Sequence, residues 1–432
     1  MRRRHRCAAV WMAVCLGTVA SASAQTGERL SLKDAEQRAL AGHPSVRAAQ
    51  EAAQAAAQSV REVRSAYWPT IYGSLTGAAA PDGTRIAAGA LNNPSIFDRL
   101  AAGVTATQLV TDFGRTHDLV QTQVLRASAQ DQDVTLMRAQ VMLDVDRAYF
   151  DTLRAQAVLR VARQTVDARQ LVVDQVSALA SSGLKSGLDL SFARVNQSQA
   201  RLLLVQAQGD VQAAFAALSA AMGSAQQATF ALVEEPMVAP AADDAAVLIA
   251  QALKDRPDVS AERLADQAAA KFVDAEHALA LPTVAAVGVA GVTPLRDTAA
   301  LNDHYSAAGL NVTVPFFNGG LYSARRAEAA YRAQIADDVL RDLENRVARD
   351  VTLAWVRSTT ARQRMDLTNE LVTQASDALE LAQSRYNLGL SSIVELTQAQ
   401  LNETEAEIGQ AAARYDYQIR GTELRFQTGA LK

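Results

Sequence analysis

Two long stretches without any helix-breaking residue constrain the fold of this chain more than any other feature. Residues 115–182 and residues 321–388 contain neither proline nor glycine, and each stretch directly follows a glycine. As a single helix, each would be roughly 100 Å long at about 1.5 Å per residue. The mean helix of a soluble globular protein has only about 11 residues. The sequence therefore predicts two helices that are too long for one compact domain to bury.

The apolar residues of both stretches recur every three or four positions, which gives each predicted helix one narrow apolar stripe. The matched positions are Val134, Met137, Val141, Val145 and Tyr149 in the first stretch and Leu340, Leu343, Val347, Val351 and Trp355 in the second. A stripe of this length needs partner helices along its whole extent, as in a coiled-coil assembly.

The second organising feature is an internal duplication. It is indicated by prolines, glycines and other residues that recur at a constant offset along the chain. At an offset of 213, Pro44 corresponds to Pro257 and Pro69 corresponds to Pro282. Beyond Pro282 the offset becomes 206, and a surface loop absorbs such a length change easily. The pairs at the second offset are Gly114 and Gly320, Tyr149 and Trp355, Gly183 and Gly389, Asp189 and Glu395, Asn196 and Asn402, and Gly223 and Gly429.

The duplication predicts the domain organisation. We expect a first structural repeat over residues 25–240, with a strand pair at about 67–110 and long helices at about 115–222. We expect a second repeat over residues 241–432, with a strand pair at about 281–315 and long helices at about 321–427.

Four segments have the alternation of half-buried strands. Residues 70–76 place Thr, Tyr and Ser on one face and Ile, Gly and Leu on the other, and residues 310–314 alternate more cleanly. Residues 99–110 and 283–293 are the other two candidates. One polar and one apolar face suit the wall of a membrane barrel, but the smallest such barrels have about eight strands. If these strands form a barrel wall, several chains share it, and three chains would supply twelve.

The first 24 residues read as a secretory signal, with a basic start, a short apolar run and a small-residue cleavage site that ends at Ala24. A membrane anchor is the alternative, and the shortness of the run disfavours it. Both cysteines, Cys7 and Cys15, lie in this segment, so we expect a mature chain without disulfides or thiolate metal sites. Lipidation of Cys15 is left open, although the preceding Val14 fits a lipoprotein signal poorly.

Charge and motifs exclude several functional classes. Without the four leader arginines the chain has 38 basic and 46 acidic residues, a net charge of −8, which argues against a nucleic-acid partner. No mature stretch has eighteen consecutive apolar residues, so we predict no membrane-spanning helix. The remaining histidines are scattered, and we find no nucleophile elbow, no phosphate-binding glycine loop and no paired carboxylates. We therefore predict that the protein is not an enzyme and has no metal or cofactor. These histidines are His43, His117, His277 and His304.

Short motifs occur in a fixed order along the chain, and several of them occur twice. They are Leu30-Ser31-Leu32-Lys33-Asp34-Ala35, Ala41-Gly42-His43-Pro44, Tyr67-Trp68-Pro69, Thr111-Asp112-Phe113-Gly114-Arg115, Ser182-Gly183-Leu184, Phe316-Phe317-Asn318-Gly319-Gly320 and Tyr386-Asn387-Leu388-Gly389-Leu390. Each motif is weak alone, but the ordered and duplicated set is specific. Through this set, nearly all of the mature chain resembles the TolC-like outer-membrane factor family.

This resemblance implies an α+β membrane protein, built from an internal duplication, with a long α-helical coiled-coil tunnel and a shared transmembrane β-barrel. It implies a homotrimer with four strands per chain, embedded in outer-membrane lipid of a Gram-negative bacterium, whose helices extend into the periplasm. The implied partners are a periplasmic adaptor (membrane fusion) protein and an inner-membrane transporter. The implied function is the passive exit duct of a tripartite efflux system.

Two other functions are alternatives. The exit duct of a type I protein secretion system would have the same tunnel geometry, so the sequence does not separate it from an efflux duct. A purely structural coiled-coil protein of the periplasm would explain the long helices. It would not need the four alternating strands.

The resemblance also implies gate residues near the predicted helical turns. By position, the family's gate acid corresponds to Asp189, its gate tyrosine to Tyr386, its pore-facing acid to Glu395 and a later arginine to Arg414. A second arginine and a second pore acid of the family correspond here to Ser391 and Gln398, so we expect a weaker charged clasp and a thinner ring of acids.

Each gate assignment has a simpler structural alternative. Glu395 could be a solvated surface acid, and Asp189 could be an N-terminal helix residue, where a carboxylate is favourable. Tyr386 could simply be packed. On the gate interpretation we predict a hydrogen bond from the Tyr386 phenol to the Asp189 carboxylate, with Arg414 and Asp174 as the next pair to test.

Overall fold

The computed structural model describes residues 28–79, 98–240, 244–296 and 302–431. The predicted signal segment, with its two cysteines and its cleavage site, lies outside the described residues. The expected boundary between the two repeats, after residue 240, falls at the edge of another gap.

Eight α-helices occur in the described residues, and they form two sets of equal lengths. Each set contains helices of 11, 21, 67 and 35 residues, in that order. The first set is α1 (Leu32–Gly42), α2 (Pro44–Arg64), α3 (Arg115–Ser181) and α4 (Gly187–Ala221). The second set is α5 (Ala245–Asp255), α6 (Pro257–His277), α7 (Leu321–Asn387) and α8 (Ile393–Gln427).

Glycines in the left-handed conformation mark both ends of each long helix. Gly114 (φ 101°) and Gly320 (φ 85°) precede α3 and α7, and Gly183 (φ 75°) and Gly389 (φ 76°) follow them. Residues with a Cβ rarely adopt this conformation, so these glycines turn the chain at fixed points. The two helices predicted from the absence of glycine and proline are confirmed to within one residue at their C-terminal ends.

Four strands form one antiparallel sheet in the order β2-β3-β5-β6, so its central pair joins the two halves of the chain. Two further short strands, β1 and β4, pair in parallel. The strands are β1 (Arg29–Leu30), β2 (Thr70–Ala78), β3 (Arg99–Thr111), β4 (Ala231–Leu232), β5 (Thr283–Arg296) and β6 (His304–Thr313). Three of the predicted strands are confirmed. The fourth was predicted at residues 310–314, but β6 starts six residues earlier, because pairing with β5 extends the strand through a run of small residues.

The helices pack as two antiparallel hairpins, α3 with α4 and α7 with α8, which contact each other through α3 and α8. The predicted apolar stripes lie in this packing. Val145 and Tyr149 are fully buried in a cluster with Leu30 and α1, and Val347 and Val351 pack against α5 and α6. In the described part of the chain, no helix is both long enough and apolar enough to cross a membrane.

The segment that connects the two halves is bound to the outside of the hairpins. The Tyr149 hydroxyl on α3 lies 2.7 Å from the Val233 carbonyl oxygen. On α8, Gln418 donates to the Pro236 carbonyl (3.0 Å) and accepts from the Val238 N–H (3.0 Å). These bonds fix residues 233–238 between α3 and α8.

Candidate functional site

The turns at residues 182–186 and 388–392 lie at one end of the two hairpins, which we call the tip. The ends of all four long helices share one apolar cluster there. Its buried members are Val172, Val173, Val176, Ala193, Tyr386, Ile393 and Leu396. Because this cluster contains residues of both hairpins, it packs the two hairpins against each other at the tip.

Asp189 lies at the start of α4, where it completes a capping box with Ser186. The Asp189 carboxylate accepts from the Ser186 N–H (3.2 Å) and from the Ser186 hydroxyl (3.0 Å), and the Asp189 N–H donates to the Ser186 Oγ (3.1 Å). A capping box satisfies two backbone donors that the helix leaves free. Within one chain, Asp189 therefore acts as a residue of the helix N-terminus, which is the simpler alternative to a gate acid.

Tyr386 is buried in the tip cluster, but its phenol has no hydrogen-bond partner. The predicted bond to Asp189 is therefore absent from the single chain, where the Asp189 Oδ2 accepts from Ser186 instead. The Lys185 ammonium lies 4.2 Å from the centre of the Tyr386 ring, which is a cation–π contact between the two hairpins. Burial, and secondarily the charge of Asp189, raise the pKa of the phenol.

Glu395 occupies the corresponding place at the start of α8. Its N–H donates to the Ser392 Oγ (3.3 Å), and its carboxylate lies 3.2 Å from the Arg385 Nε near the end of α7. Both side chains of this ion pair are about half exposed. Glu395 is therefore an accessible acid at the tip whose charge is balanced within its own hairpin.

The two positions that depart from the family pattern, Ser391 and Gln398, have uncharged side chains that form no ion pair. Gln398 donates to the Asn402 side-chain oxygen one turn later on α8 (2.8 Å). The Ser391 hydroxyl is buried and has no hydrogen-bond partner. Neither residue links the two hairpins.

Arg414 lies far from the tip, which corrects its proposed pairing with Asp174. Its guanidinium pairs with Glu234 of the connecting segment (3.0 Å), and Arg160 of α3 approaches the same carboxylate at 4.0 Å. Asp174 lies fourteen residues beyond Arg160 along α3, a rise of about 21 Å. Asp174 instead accepts a hydrogen bond from Gln170 (2.9 Å).

The tip carries an exposed apolar surface. Four leucines of the two turns have between 66 % and 73 % of their surface exposed: Leu184, Leu188, Leu388 and Leu390. Contiguous exposed apolar residues commonly mark a site where another protein binds.

One face of the sheet is mainly apolar, and the other is polar on β2 and β3 but carries Val287 and Val289 of β5. The apolar face carries Ile71, Leu75, Val104, Val292, Leu310 and Val312, each of them exposed. The polar face carries Thr70, Tyr72, Ser74, Thr76, Thr105 and Thr107. Four exposed aromatic residues border the sheet where the helices begin: Trp68, Phe113, Phe316 and Phe317. Aromatic residues of this kind flank the apolar band of membrane β-proteins.

Sequence reasoning missed the residues that hold the predicted ones in place: Ser186, Lys185, Arg385 and Glu234. The spacing of Ser186 and Asp189 is itself a capping-box signature, so that contact was readable. The Arg385–Glu395 pair joins α7 to α8 across a turn, and the Glu234–Arg414 pair spans 180 residues, so neither follows from helical spacing.

Known proteins resemble this chain along nearly its full length. The sequence matches the model of the outer membrane efflux protein family over residues 35–224 and 248–430. It is 22 % identical to the outer membrane protein TolC of Escherichia coli strain K12 over 432 residues, which cover 97 % of this chain and 86 % of TolC. It is 25 % identical to the outer membrane protein OprJ of Pseudomonas aeruginosa over 338 residues, which cover 77 % of this chain and 70 % of OprJ. The crystal structure of VceC from Vibrio cholerae shares the fold, with a TM-score of 0.77 at 20 % identity, covering 92 % of this chain and 96 % of VceC.

Proposed function

This chain belongs to the outer membrane efflux protein family, and we propose that three copies of it form one closed exit duct through the outer membrane. As a member of this family it is an outer-membrane component of an efflux system. In the proposed assembly, twelve strands form a barrel in outer-membrane lipid and twelve long helices form a periplasmic tunnel. A periplasmic adaptor and an inner-membrane transporter deliver substrates to the tip, where the exposed leucines offer a docking surface.

This proposal rests on two opposite sides of the chain that have no partner in the single chain. Each side has a free strand edge and exposed helix faces. The strand β2 has a free edge on one side of the sheet, and β6 has a free edge on the other. Free edges pair readily with another strand. Pairing β6 of one copy with β2 of the next repeats the same contact, and a repeated head-to-tail contact makes a ring when its rotation closes.

The helices have open faces on the same two sides. On the β6 side, α7 exposes Tyr331, Ile335, Val339, Leu367, Leu371 and Leu381. On the β2 side, α4 exposes Phe192, Val195, Leu202 and Val205, and α2 exposes alanines. In the single chain these stripes face water, and neighbouring copies would bury them, which is favourable at about 25 cal/mol per Å² of apolar surface.

The two faces of the sheet support the same arrangement. An outward apolar face suits lipid and an inward polar face suits a water-filled lumen. We further propose that the two expected repeats, residues 25–240 and 241–432, are the units of the duplication, since each supplies two long helices and two adjacent strands in a ring of six such units. Separate expression of each half, followed by a test for reassembly into channels, would examine these boundaries.

Purification tests the proposed assembly. In detergent, the mature protein should be a trimer by light scattering, with a far-ultraviolet circular dichroism spectrum dominated by helix. Detergent covers the apolar face of the sheet. Removal of detergent should therefore expose this face to water and cause aggregation. A stable monomer that is soluble without detergent would contradict the exit-duct proposal.

At the tip, we propose that packing of Tyr386 beneath Lys185 keeps the two hairpins together. We also propose that Glu395 faces the duct as a charge-compensated pair with Arg385. Measuring the cation preference of Glu395→Gln channels tests the second proposal, because a compensated acid should contribute little to that preference. In this scheme Asp189 acts by fixing the start of α4, and Arg414 acts by holding the connecting segment.

Recordings in planar bilayers should separate the two roles of Tyr386. Tyr386→Ala removes the buried ring and should raise the resting current, because it leaves a cavity in the tip cluster. Tyr386→Phe should leave the resting current unchanged, since it removes only a hydroxyl that has no partner. An equal rise in both variants would mean that the phenol does have a partner in the assembled protein.

A further inference from the structure

Tyr305 of β6 lies flat across two glycines of the neighbouring strands. The register places Gly103 of β3 opposite Gly291 of β5, and Gly291 opposite Tyr305. A Cβ atom at Gly291 would lie 2.5 Å from the Tyr305 Cζ. A Cβ atom at Gly103 would collide with the Tyr305 hydroxyl oxygen and would lie 3.2 Å from its Cζ. The phenol ring therefore fills the space that two side chains would otherwise occupy.

Exposure supports this flat orientation. Tyr305 has 38 % of its surface exposed, whereas Tyr72 on the same face of the sheet has 67 %. Glycine in a strand interior weakens the strand, and it often marks a place where another group approaches the backbone closely. A neighbouring aromatic ring can cover such glycines and restore the lost packing.

The position of this ring in the sheet gives it a role. Tyr305 is the second residue of β6, so it lies at the end of the sheet remote from the long helices. It shares the polar face with Ser74, which is directly opposite Gly103. In the exit duct proposed above, this face lines the lumen and this end is the outer mouth.

We propose that Tyr305 sets the aperture of the outer mouth: three copies, each laid against Gly103 and Gly291, keep the lumen wide enough for bulky solutes. This inference rests on the proposed function, because it needs the polar face to line a water-filled duct. A ring that cannot lie on the sheet has to stand away from it, since the strand backbones close the other side. Displacing Tyr305 would therefore narrow the duct from three directions at one level.

Gly103→Ala displaces the ring with the smaller disturbance of the backbone, since a Cβ atom there would lie 3.0 Å from the carbonyl oxygen of Ala290. A Cβ atom at Gly291 would also lie 2.5 Å from the carbonyl oxygen of Ala102, so a change there would disturb the sheet itself. Gly73→Ala is the matched control, because Gly73 lies in β2 on the opposite face and a Cβ atom there meets nothing within 4 Å.

Thiol labelling in intact cells measures the aperture independently of the tip. Both cysteines of the chain precede residue 16, within the predicted signal segment, so Thr107→Cys introduces a single reporter. Thr107 lies on the same face as Gly103 and four residues nearer the helices. A small maleimide and a bulky polyethylene glycol maleimide, both added outside, should label this reporter. With Gly103→Ala the small reagent should still react, while the bulky one should react about tenfold more slowly, because pore diameter limits its access.

Removing the ring should reverse the effect. Gly103→Ala with Tyr305→Ala should regain fast labelling by the bulky reagent, and Gly73→Ala should label like the parent. Equal labelling of the Gly103→Ala variant and the parent would overturn the aperture role of Tyr305. A reporter that no reagent reaches in the otherwise unchanged protein would instead overturn the exit-duct proposal. If Gly103→Ala does not assemble, Tyr305→Trp provides the same test, because the larger indole does not fit over Gly103.

Discussion

Ile335→Glu combined with Leu371→Glu is expected to abolish the trimer. Both side chains are exposed on α7 in the single chain, with 61 % and 50 % of their surface open. In the proposed ring they face the next copy, so the double variant buries two carboxylates in each of three interfaces. A buried, unpaired charge costs several kcal/mol even after relaxation. Light scattering in detergent and semi-native gel electrophoresis should show monomers or aggregates.

Leu171→Glu is the matched control for this variant. Leu171 is equally apolar and exposed, but it lies on α3, whose two sides already pack against α4 and α8 of the same chain. This control should remain trimeric. A double variant that stays trimeric would show that the copies meet through surfaces other than α7.

The long helices and most of the sheet could be predicted from the sequence because local residues determine them. Glycines with positive φ end α3 and α7, and neither helix contains an interior glycine or proline. The start of β6 could not be predicted, since its residues from Ser306 to Gly309 are small and carry no alternation of polarity. Their strand conformation comes from pairing with β5.

The tip was predicted in outline but not in its contacts. Asp189 and Tyr386 do lie near each other, as their matched positions around the two turns suggested. The hydrogen bond between them is absent: the Ser186 hydroxyl, three residues from Asp189, binds one carboxylate oxygen at 3.0 Å, and the Tyr386 phenol has no partner. Local side-chain contacts of this kind compete with longer-range ones, and sequence comparison alone does not rank them.

A second feature that sequence patterns left unnoticed is a buried acid in the first long helix. Asp146 is fully buried, and no ion pair is formed by its carboxyl group in the part of the chain that the structure describes. Its position between Met142 and Tyr149 on the apolar side of α3 was a readable signal, because an acid there has to enter the core. The groups that face it are Glu36 of α1 and, on α8, Arg425 and Thr422.

Burial and the neighbouring Glu36 raise the pKa of Asp146 from 3.8 to about 8. Arg425 lowers this pKa, but its effect is smaller than that of burial. The folded protein thus holds a proton on Asp146 that the unfolded chain releases above about pH 4. Stability should therefore fall as the pH rises from about 4 to about 8, and this contribution should be constant above the folded pKa.

The duplication shows that an acid is not required at this place in the fold. By the offsets of the two halves, Asp146 corresponds to Thr352 and Glu36 corresponds to Ile249, which are both neutral. A neutral side chain of the same shape as aspartic acid should therefore be tolerated at position 146.

Asp146→Asn is expected to stabilise the protein at pH 8 by about 2–5 kcal/mol, since it keeps the shape of the protonated acid and removes the cost of burying its charge. Near pH 4 the variant and the parent should have equal stability, because Asp146 is then protonated in the folded protein. Thermal unfolding followed by circular dichroism between pH 4 and 9 measures the difference. Asp144→Asn is the control, as Asp144 lies on the same helix with half of its side chain exposed, and its profile should follow the parent. Parallel profiles for Asp146→Asn and the parent across this range would mean that Asp146 is already ionised in the folded protein, with Arg425 as its counter-ion.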